Sequence, residues 1–425
     1  MLTGQIFIQL IVILLVVQAF GIVCKYIGQP KVVGEILGGL ALGPALLGAI
    51  SPQIDANLFP SNTLPTLQTL GDIGLVLYMF SMGMHIDTQD MLKRGHKAMV
   101  VSLSGILIPL LLGGILAYFL FPDFGGSNAT ILSFTLLVGT AMAITAFPVL
   151  ARLLEERQML TSSIGTLALL CAAITDIVGW CLLAFITMII HSTGITSVLM
   201  MLGLLILFIV VMLAVVRPLL LWSDRHLRSK PTQLVLITVL LLMSAYTTNT
   251  IGIHPVFGAF MMGMILPRHT KAFQQVQNIE QLNTILFLPL YFVYNGLRVH
   301  IGLINSPALW LLVALVLSVA CLGKILGGTL SLKLFGSSWH QSLTLGTLLN
   351  TRGLVELILL NIALDLKVIS STLFAILVIM AIATTMMAPP LLFLLGYHQT
   401  KAQKQAEHET AEHETLELSE NNAVS

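Results

Sequence analysis

The sequence predicts an all-α, polytopic membrane protein with about thirteen transmembrane helices. The first observation is composition: 56% of the 425 residues are apolar and only 9% are charged, whereas a soluble domain has about 25% charged residues. The second is the length and spacing of the apolar runs. The third is the uneven distribution of lysine and arginine among the loops between them. Together they indicate that lipid surrounds most of the chain.

Apolar runs interrupted by proline, glycine and charge define the predicted spans. The first run lacks a basic start and a small-residue cleavage site, so we expect it to stay in the protein as a span. The predicted spans cover residues 5–24, 32–50, 66–85, 98–121, 129–150, 162–190, 197–222, 231–249, 251–267, 282–298, 307–334, 342–364 and 369–396.

Positive charge predicts the orientation of these spans. With the N-terminus outside, sixteen lysine and arginine side chains fall in inside loops or in the tail, and only Arg298 and Lys367 fall outside. Inside loops are normally the ones enriched in these residues. We therefore expect an outside N-terminus and a cytoplasmic C-terminus. The short loops and the lack of a transit peptide favour a bacterial inner membrane.

Two regions are predicted along the chain. Residues 1–396 form the membrane domain, and residues 397–425 form a charged cytoplasmic tail. The tail has two lysines and six glutamates, and it repeats AEHET in tandem at 406–415. Such composition is typical of a disordered segment.

A weak internal repeat is visible in the membrane domain. Segment 75–86 resembles segment 288–301, and segment 139–149 resembles segment 346–356. The first member of each pair crosses from outside to inside and the second crosses back, so the repeat is inverted. Inverted repeats are typical of secondary transporters, whose substrate site lies at mid-membrane near interrupted helices.

Ionisable residues inside spans are the main functional signal. A charge at the bilayer centre costs about 2.5–3.5 kcal/mol on insertion scales, so such residues usually pair or line an ion pathway. The six residues of this kind are Glu35, Asp72, Asp176, Lys324, Arg352 and Glu356.

Asp176 is the most deeply placed acid among them. A carboxylate is a hard oxygen ligand suited to Na⁺ or K⁺, and it also takes up a proton. A single group that binds either ion, but never both, is enough to couple their opposite fluxes. The alternative is that Asp176 is a structural partner for a buried base.

Thr145 lies in the segment TAFP, where Pro148 has no N–H and disturbs the preceding turn. Carbonyl groups freed there, with the hydroxyls of Thr140 and Thr145, would coordinate a cation. The alternative is an ordinary proline kink whose hydroxyls bond within their own helix.

Four further charges are predicted to support this site. Arg352 and Glu356 stand four residues apart, on one helical face, and are expected to pair beside Gly353. Lys324 would neutralise a buried carboxylate or compete for it with a proton. Glu35 is included with these supporting charges.

The sequence lacks the characteristic motifs of several functional classes of protein. The chain has no G-x-x-x-x-G-K-[ST] loop for nucleotide-driven transport, no G-x-G-D or H-E-x-x-H of intramembrane proteases and no T-V-G-Y-G filter. We therefore expect a protein that is not an enzyme, without a cofactor or a nucleic-acid partner.

Long stretches resemble the monovalent cation:proton antiporter family 2, and within it the plant cation/H⁺ exchangers and their bacterial relatives. These stretches spread over residues 20–396, and several have ten or more residues. They are PKVVGEILGGLALGP (30–44), AITAFPVLARLLEE (143–156), CAAITDIVGW (171–180), NGLR (295–298), LGKILGG (322–328) and NTRGLVELILLNIALD (350–365).

The resemblance implies a fold with a dimerisation part and a core part, a homodimer, and elevator-like alternating access. It implies two discontinuous helices that cross near the ion site, at 129–150 and 342–364. The family's ion-binding aspartate maps onto Asp176 and its membrane lysine onto Lys324. Thr145 falls in the first unwound segment.

One departure from the family pattern concerns stoichiometry. The position before the key aspartate is often Asp or Asn in relatives, but here it is Thr175. Thr175, Asp176, Thr140 and Thr145 are the predicted cation and proton ligands. With one titrating acid, the simplest prediction is electroneutral exchange of one Na⁺ or K⁺ for one proton.

A passive cation channel is the alternative function, and the choice between Na⁺ and K⁺ stays open.

Overall fold

The computed structural model is almost entirely helical. Among the residues that it describes, no β-strand occurs, and the only bridge joins Gly125 to Ile369. The predicted tail at 397–425 lies outside the described residues. The described ranges are 2–85, 88–160, 162–191, 195–226, 229–267 and 280–396.

We number the helices of these ranges in chain order. Short π-helical turns at Met212–Val216 and Asn283–Phe287 precede α11 and α14. The helices are α1 (Leu2–Tyr26), α2 (Lys31–Leu42), α3 (Leu47–Ile50), α4 (Pro52–Leu58), α5 (Leu64–His85), α6 (Thr88–Phe124), α7 (Ile131–Ala143), α8 (Phe147–Glu156), α9 (Ser163–His191), α10 (Ile195–Val211), α11 (Arg217–His226), α12 (Lys230–Ile251), α13 (Pro255–Ile265), α14 (Leu288–Leu297), α15 (Pro307–Leu334), α16 (Trp339–Leu349), α17 (Leu354–Asp365) and α18 (Ser371–Leu394).

Apolar helices of membrane-spanning length dominate the fold. Within the described ranges, nine helices or helix runs are long and apolar enough to cross a bilayer. The chain is therefore an integral membrane protein. The predicted number of thirteen spans stays a prediction, because some of the predicted spans are short or divided. For example, α7 has 13 residues and α13 has 11, and the span predicted at 32–50 is divided between α2 and α3. The predicted inverted repeat also stays a prediction.

The helices pack in two groups. Helices α6–α9 and α15–α18 pack mainly with each other, and we call them the site bundle. Helices α1–α5 and α10–α14 form the second group, the support bundle. Whether these groups correspond to the predicted core and dimerisation parts stays a prediction.

Contacts between helix ends define two faces of the molecule. Side chains near the start of α1 bond to residues 57–63, just before α5. Tyr294, in α14, donates a hydrogen bond to Gln68 of α5 at 2.9 Å, and Arg298 bonds to Asp365 at the end of α17. We call this side the N-terminal face. Helix α18 starts nearby and, with 24 residues, reaches the opposite, C-terminal face.

Glycine allows α2 and α14 to approach closely in the support bundle. A Cβ atom on Gly39 of α2 would lie 2.6 Å from the carbonyl oxygen of Phe292 in α14. Small residues are common at such contacts in membranes, because close van der Waals packing replaces the hydrophobic effect between helices.

Replacing Gly39 with alanine is therefore expected to separate these two helices. We expect a loss of about 1–3 kcal/mol, as for other overpacked contacts, seen as a lower thermal unfolding midpoint in detergent. Gly203→Ala in α10 is the matched control, because a Cβ there has no neighbouring atom within 4 Å. An equal loss in both variants would contradict the packing argument.

Candidate functional site

Two interrupted helices meet in the site bundle. The first break separates α7 from α8 at residues 144–146, and the second separates α16 from α17 at residues 350–353. The breaks contact each other, since the backbone N–H of Ala146 donates to the carbonyl oxygen of Thr351 at 3.1 Å. The interruptions predicted within 129–150 and 342–364 are therefore present.

Side chains make hydrogen bonds to some of the backbone N–H and C=O groups that the breaks leave without helical partners. The Thr145 hydroxyl donates to the carbonyl oxygen of Leu349, at the end of α16, at 2.8 Å. Thr385 of α18 accepts a hydrogen bond from the backbone N–H of Arg352 at 2.9 Å and donates to its carbonyl oxygen at 2.7 Å. Thr385 has no signal in the sequence, because nothing distinguishes its hydroxyl from others in apolar spans.

Two buried basic side chains bond to carbonyl oxygens at the C-terminal end of α7. The Arg352 guanidinium donates to the carbonyl oxygens of residues 141–142 at 2.5 and 2.6 Å. The Lys324 ammonium donates to the carbonyl oxygen of Ala143 and, at 3.0 Å, to that of Gly105. The last carbonyls of a helix carry the negative end of its dipole. The backbone thus stabilises both positive charges.

Asp176 lies in α9 with only 1% of its surface exposed. Neither carboxylate oxygen has a hydrogen-bond partner among the described residues. The backbone N–H of Phe147 is nevertheless within reach of the carboxylate, and the Lys324 ammonium acts on it through its positive charge. Phe147 is the first residue of α8, and a helix N-terminus favours negative charge. Asp176 is thus held in a positive environment, and no side chain among the described residues donates a hydrogen bond to its carboxylate.

The three predicted hydroxyl ligands differ in their hydrogen bonds. The Thr140 hydroxyl is buried and has no partner among the described residues. The Thr145 hydroxyl is bonded across the two breaks, and the Thr175 hydroxyl donates to the carbonyl oxygen of Cys171 in its own helix at 2.5 Å. A donating hydroxyl keeps its oxygen lone pairs, so all three still have acceptor capacity.

The remaining predicted charges form two ion pairs. Arg352 and Glu356 pair as the spacing predicts, with 3.6 Å between nitrogen and oxygen and both side chains fully buried. Glu35 of α2 pairs instead with Arg152 of α8 at 3.5 Å. Its predicted role as a supporting charge of the ion site stays a prediction.

A stacked pair of rings lies one helical turn from Asp176. Trp180 of α9 is buried and stacks on His254, with 6.2 Å between ring centroids. His254 is the N-cap residue immediately before α13, which belongs to the support bundle. This contact between the bundles has no signal in the local sequence.

Residues 11–396 match the family model described as "Sodium/hydrogen exchanger, transmembrane". The chain belongs to this exchanger family. The resemblance given by the sequence motifs is thereby confirmed.

Individual relatives differ in length from this exchanger. "Cation/H(+) antiporter 18" of Arabidopsis thaliana is 36% identical over 94% of this chain and 50% of its own length. "Na(+)/H(+) antiporter NhaS4" of Synechocystis sp. is 37% identical over 90% of this chain and 95% of its own length. "K(+)/H(+) antiporter 1" of Saccharomyces cerevisiae is 32% identical over 90% of this chain and 45% of its own length. The chain spans about half the length of the Arabidopsis and Saccharomyces proteins, and nearly all of the Synechocystis protein.

The fold is also similar to a solved structure, that of the sodium proton antiporter MjNhaP1 from Methanocaldococcus jannaschii. The TM-score is 0.68 at 16% sequence identity, covering 92% of this chain and 96% of the other. At this identity the similarity concerns the fold alone.

Proposed function

We propose that the exchanger is a secondary active antiporter that moves Na⁺ or K⁺ against H⁺, with Asp176 as the shared ion-binding residue. The observation that supports it is the buried Asp176 carboxylate, whose two oxygens have no hydrogen-bond partner among the described residues. Both the N-terminus of α8 and the Lys324 ammonium favour a negative charge on this carboxylate.

Burial explains how one carboxylate couples two fluxes. An ionised carboxylate without a bound cation is costly in a low-dielectric interior. Binding Na⁺ or K⁺ removes this penalty, and so does protonation. The hydroxyl of Thr140 and the carbonyl groups at the breaks would supply further oxygen ligands to the cation. The loaded and protonated forms would therefore cross between the two sides more readily than the empty, ionised form.

The charges near the breaks suit electroneutral exchange. Asp176 and Glu356 are acidic, Lys324 and Arg352 are basic, and Thr175 takes the position where a second acid would add to the site. With one cation or one proton on Asp176, this group of residues has the same net charge in both loaded forms, so the two crossing steps move equal charge in opposite directions. A transport current that scales with membrane potential would contradict electroneutrality.

The two bundles suit an elevator-like movement, in which the site bundle shifts against the support bundle. We place the N-terminal face outside a bacterial inner membrane and expect a homodimer. The named relatives include both a Na(+)/H(+) and a K(+)/H(+) antiporter, so both cations are candidate substrates.

The proposal is tested with the purified full chain in liposomes that contain a pH-sensitive dye. External NaCl or KCl should make the interior alkaline while the membrane potential is held at zero, and choline chloride should not. A passive cation channel would carry cation without this pH change. If neither salt moves protons, the antiporter proposal is wrong.

A further inference from the structure

Ion pairs connect the two bundles at opposite faces of the molecule. At the N-terminal face, Arg298 of the support bundle bonds to Asp365 of the site bundle. Towards the C-terminal face, Arg152 of the site bundle pairs with Glu35 of the support bundle. The arginine is thus on the support bundle in one pair and on the site bundle in the other.

The contact at the N-terminal face has the more specific geometry. Both terminal nitrogens of Arg298 donate to the Asp365 carboxylate, and one of them also donates to the Asn361 side-chain oxygen at 3.0 Å. A forked arginine–carboxylate contact fixes orientation as well as charge. Asn361 and Asp365 stand four residues apart on α17, so one guanidinium binds one face of that helix. We call these three residues the N-face latch.

The three residues of the N-face latch line a small polar cavity between the bundles. The cavity has a volume of about 80 Å³, and Asp72, His254, Asn361 and Arg298 are among its lining residues. Such a volume has room for water. His254, at its inner wall, stacks on Trp180, one turn from Asp176. The cavity is therefore next to the contact between His254 and Trp180, one helical turn from Asp176.

The opposite pair lies where α1 and α2 join. Glu35 is near the start of α2. Arg152 is in α8, and Arg157, just after the end of α8, donates to the carbonyl oxygen of Gly28, between α1 and α2, at 3.3 Å. The Glu35 side chain is 2% exposed and the Arg152 side chain 23% exposed. This pair therefore ties the other end of the site bundle to the support bundle.

We propose that the N-face latch and the Arg152–Glu35 pair are opposing locks between the two bundles, and that the latch holds the route from the N-terminal face closed in this conformation. The inference rests on the proposed function, because it requires the site bundle to move during exchange. The hydrogen bonds within an ion pair need donor and acceptor atoms about 3 Å apart, so a shift of a few ångströms would break them. The stability of each lock would thus bias which face of the exchanger is open.

The test measures access to the cavity and needs no ion gradient. Ile362 lines the cavity, and Ile362→Cys is the reporter, in a chain whose exposed Cys181 is replaced by alanine. The full chain is placed in lipid nanodiscs, which leave both faces accessible, and labelled with a charged maleimide. Arg298→Gln should raise the labelling rate about twofold to fivefold, the effect of losing a partly exposed ion pair.

Three controls make the result decisive. The charge swap Arg298→Asp with Asp365→Arg should restore slow labelling, which a misfolded protein would not do. Arg298→Lys keeps the charge but loses the fork, and should give an intermediate rate. Arg225→Gln, in the exposed last turn of α11, should leave the rate unchanged.

Equal labelling rates in the parent chain and in Arg298→Gln would overturn the latch. Failure of the proposed function has a different signature, namely a parent chain that shows no cation-dependent proton flux in liposomes. Because labelling is measured without transport, the two failures are distinguishable.

Discussion

Replacing Asp176 with asparagine is expected to abolish cation-driven proton flux while the exchanger stays folded. Asparagine has nearly the same shape, but it neither takes up a proton nor neutralises a cation. We expect the flux in proteoliposomes to fall at least about a hundredfold, as when a residue that binds the transported ion is lost. The unfolding midpoint should hold or rise, because the variant removes a buried charge without a hydrogen-bond partner.

A second measurement on the same variant separates binding from movement. A ligand that binds only the folded state raises its stability with concentration. Added Na⁺ or K⁺ should therefore raise the unfolding midpoint of the parent chain, but not of Asp176→Asn. The matched control is Asp123→Asn, the same change at an exposed position near the end of α6, which should keep both exchange and the cation effect. If Asp176→Asn behaves like the parent chain, the search for the ion site moves to Glu356 and Glu35.

Local sequence patterns predicted the features that depend on neighbours in the chain. The apolar runs gave the membrane helices, and the segment around Pro148 indicated the first break. Arg352 and Glu356 were predicted to pair because one helical turn separates them. Asp176 was identified because a carboxylate in an apolar run is costly and therefore seldom without a role.

Features that depend on distant parts of the chain could not be predicted in this way. The bonds from Lys324 to Gly105 and Ala143 span 219 and 181 residues, and backbone carbonyl acceptors have no side-chain signature. Arg298 and Asp365 are 67 residues apart, and their pairing follows only once the two bundles are packed. The pairing of Glu35 with Arg152 was not predicted for the same reason, and the predicted role of Glu35 as a supporting charge stays a prediction.

The second large effect concerns the stability of the two breaks. Replacing Arg352 with methionine removes the donors to the carbonyl oxygens of residues 141–142 and leaves Glu356 without its partner. Removing one member of a buried ion pair costs about 3–5 kcal/mol. We therefore expect Arg352→Met to lower the free energy of unfolding by about this amount, measured by chemical denaturation in detergent.

A double-mutant cycle would divide this loss between its two causes. Glu356→Gln added to Arg352→Met removes the unpaired carboxylate, so the double variant should be more stable than the sum of the single losses implies. Arg298→Met is the control, because its partner Asp365 is 54% exposed and such pairs contribute about 1 kcal/mol or less. Zero coupling between Arg352 and Glu356 would mean that the arginine stabilises the fold only through the carbonyl groups at the end of α7. In that case the broken helix would depend on its capped backbone, and Glu356 would be free to bind a proton or a cation of its own.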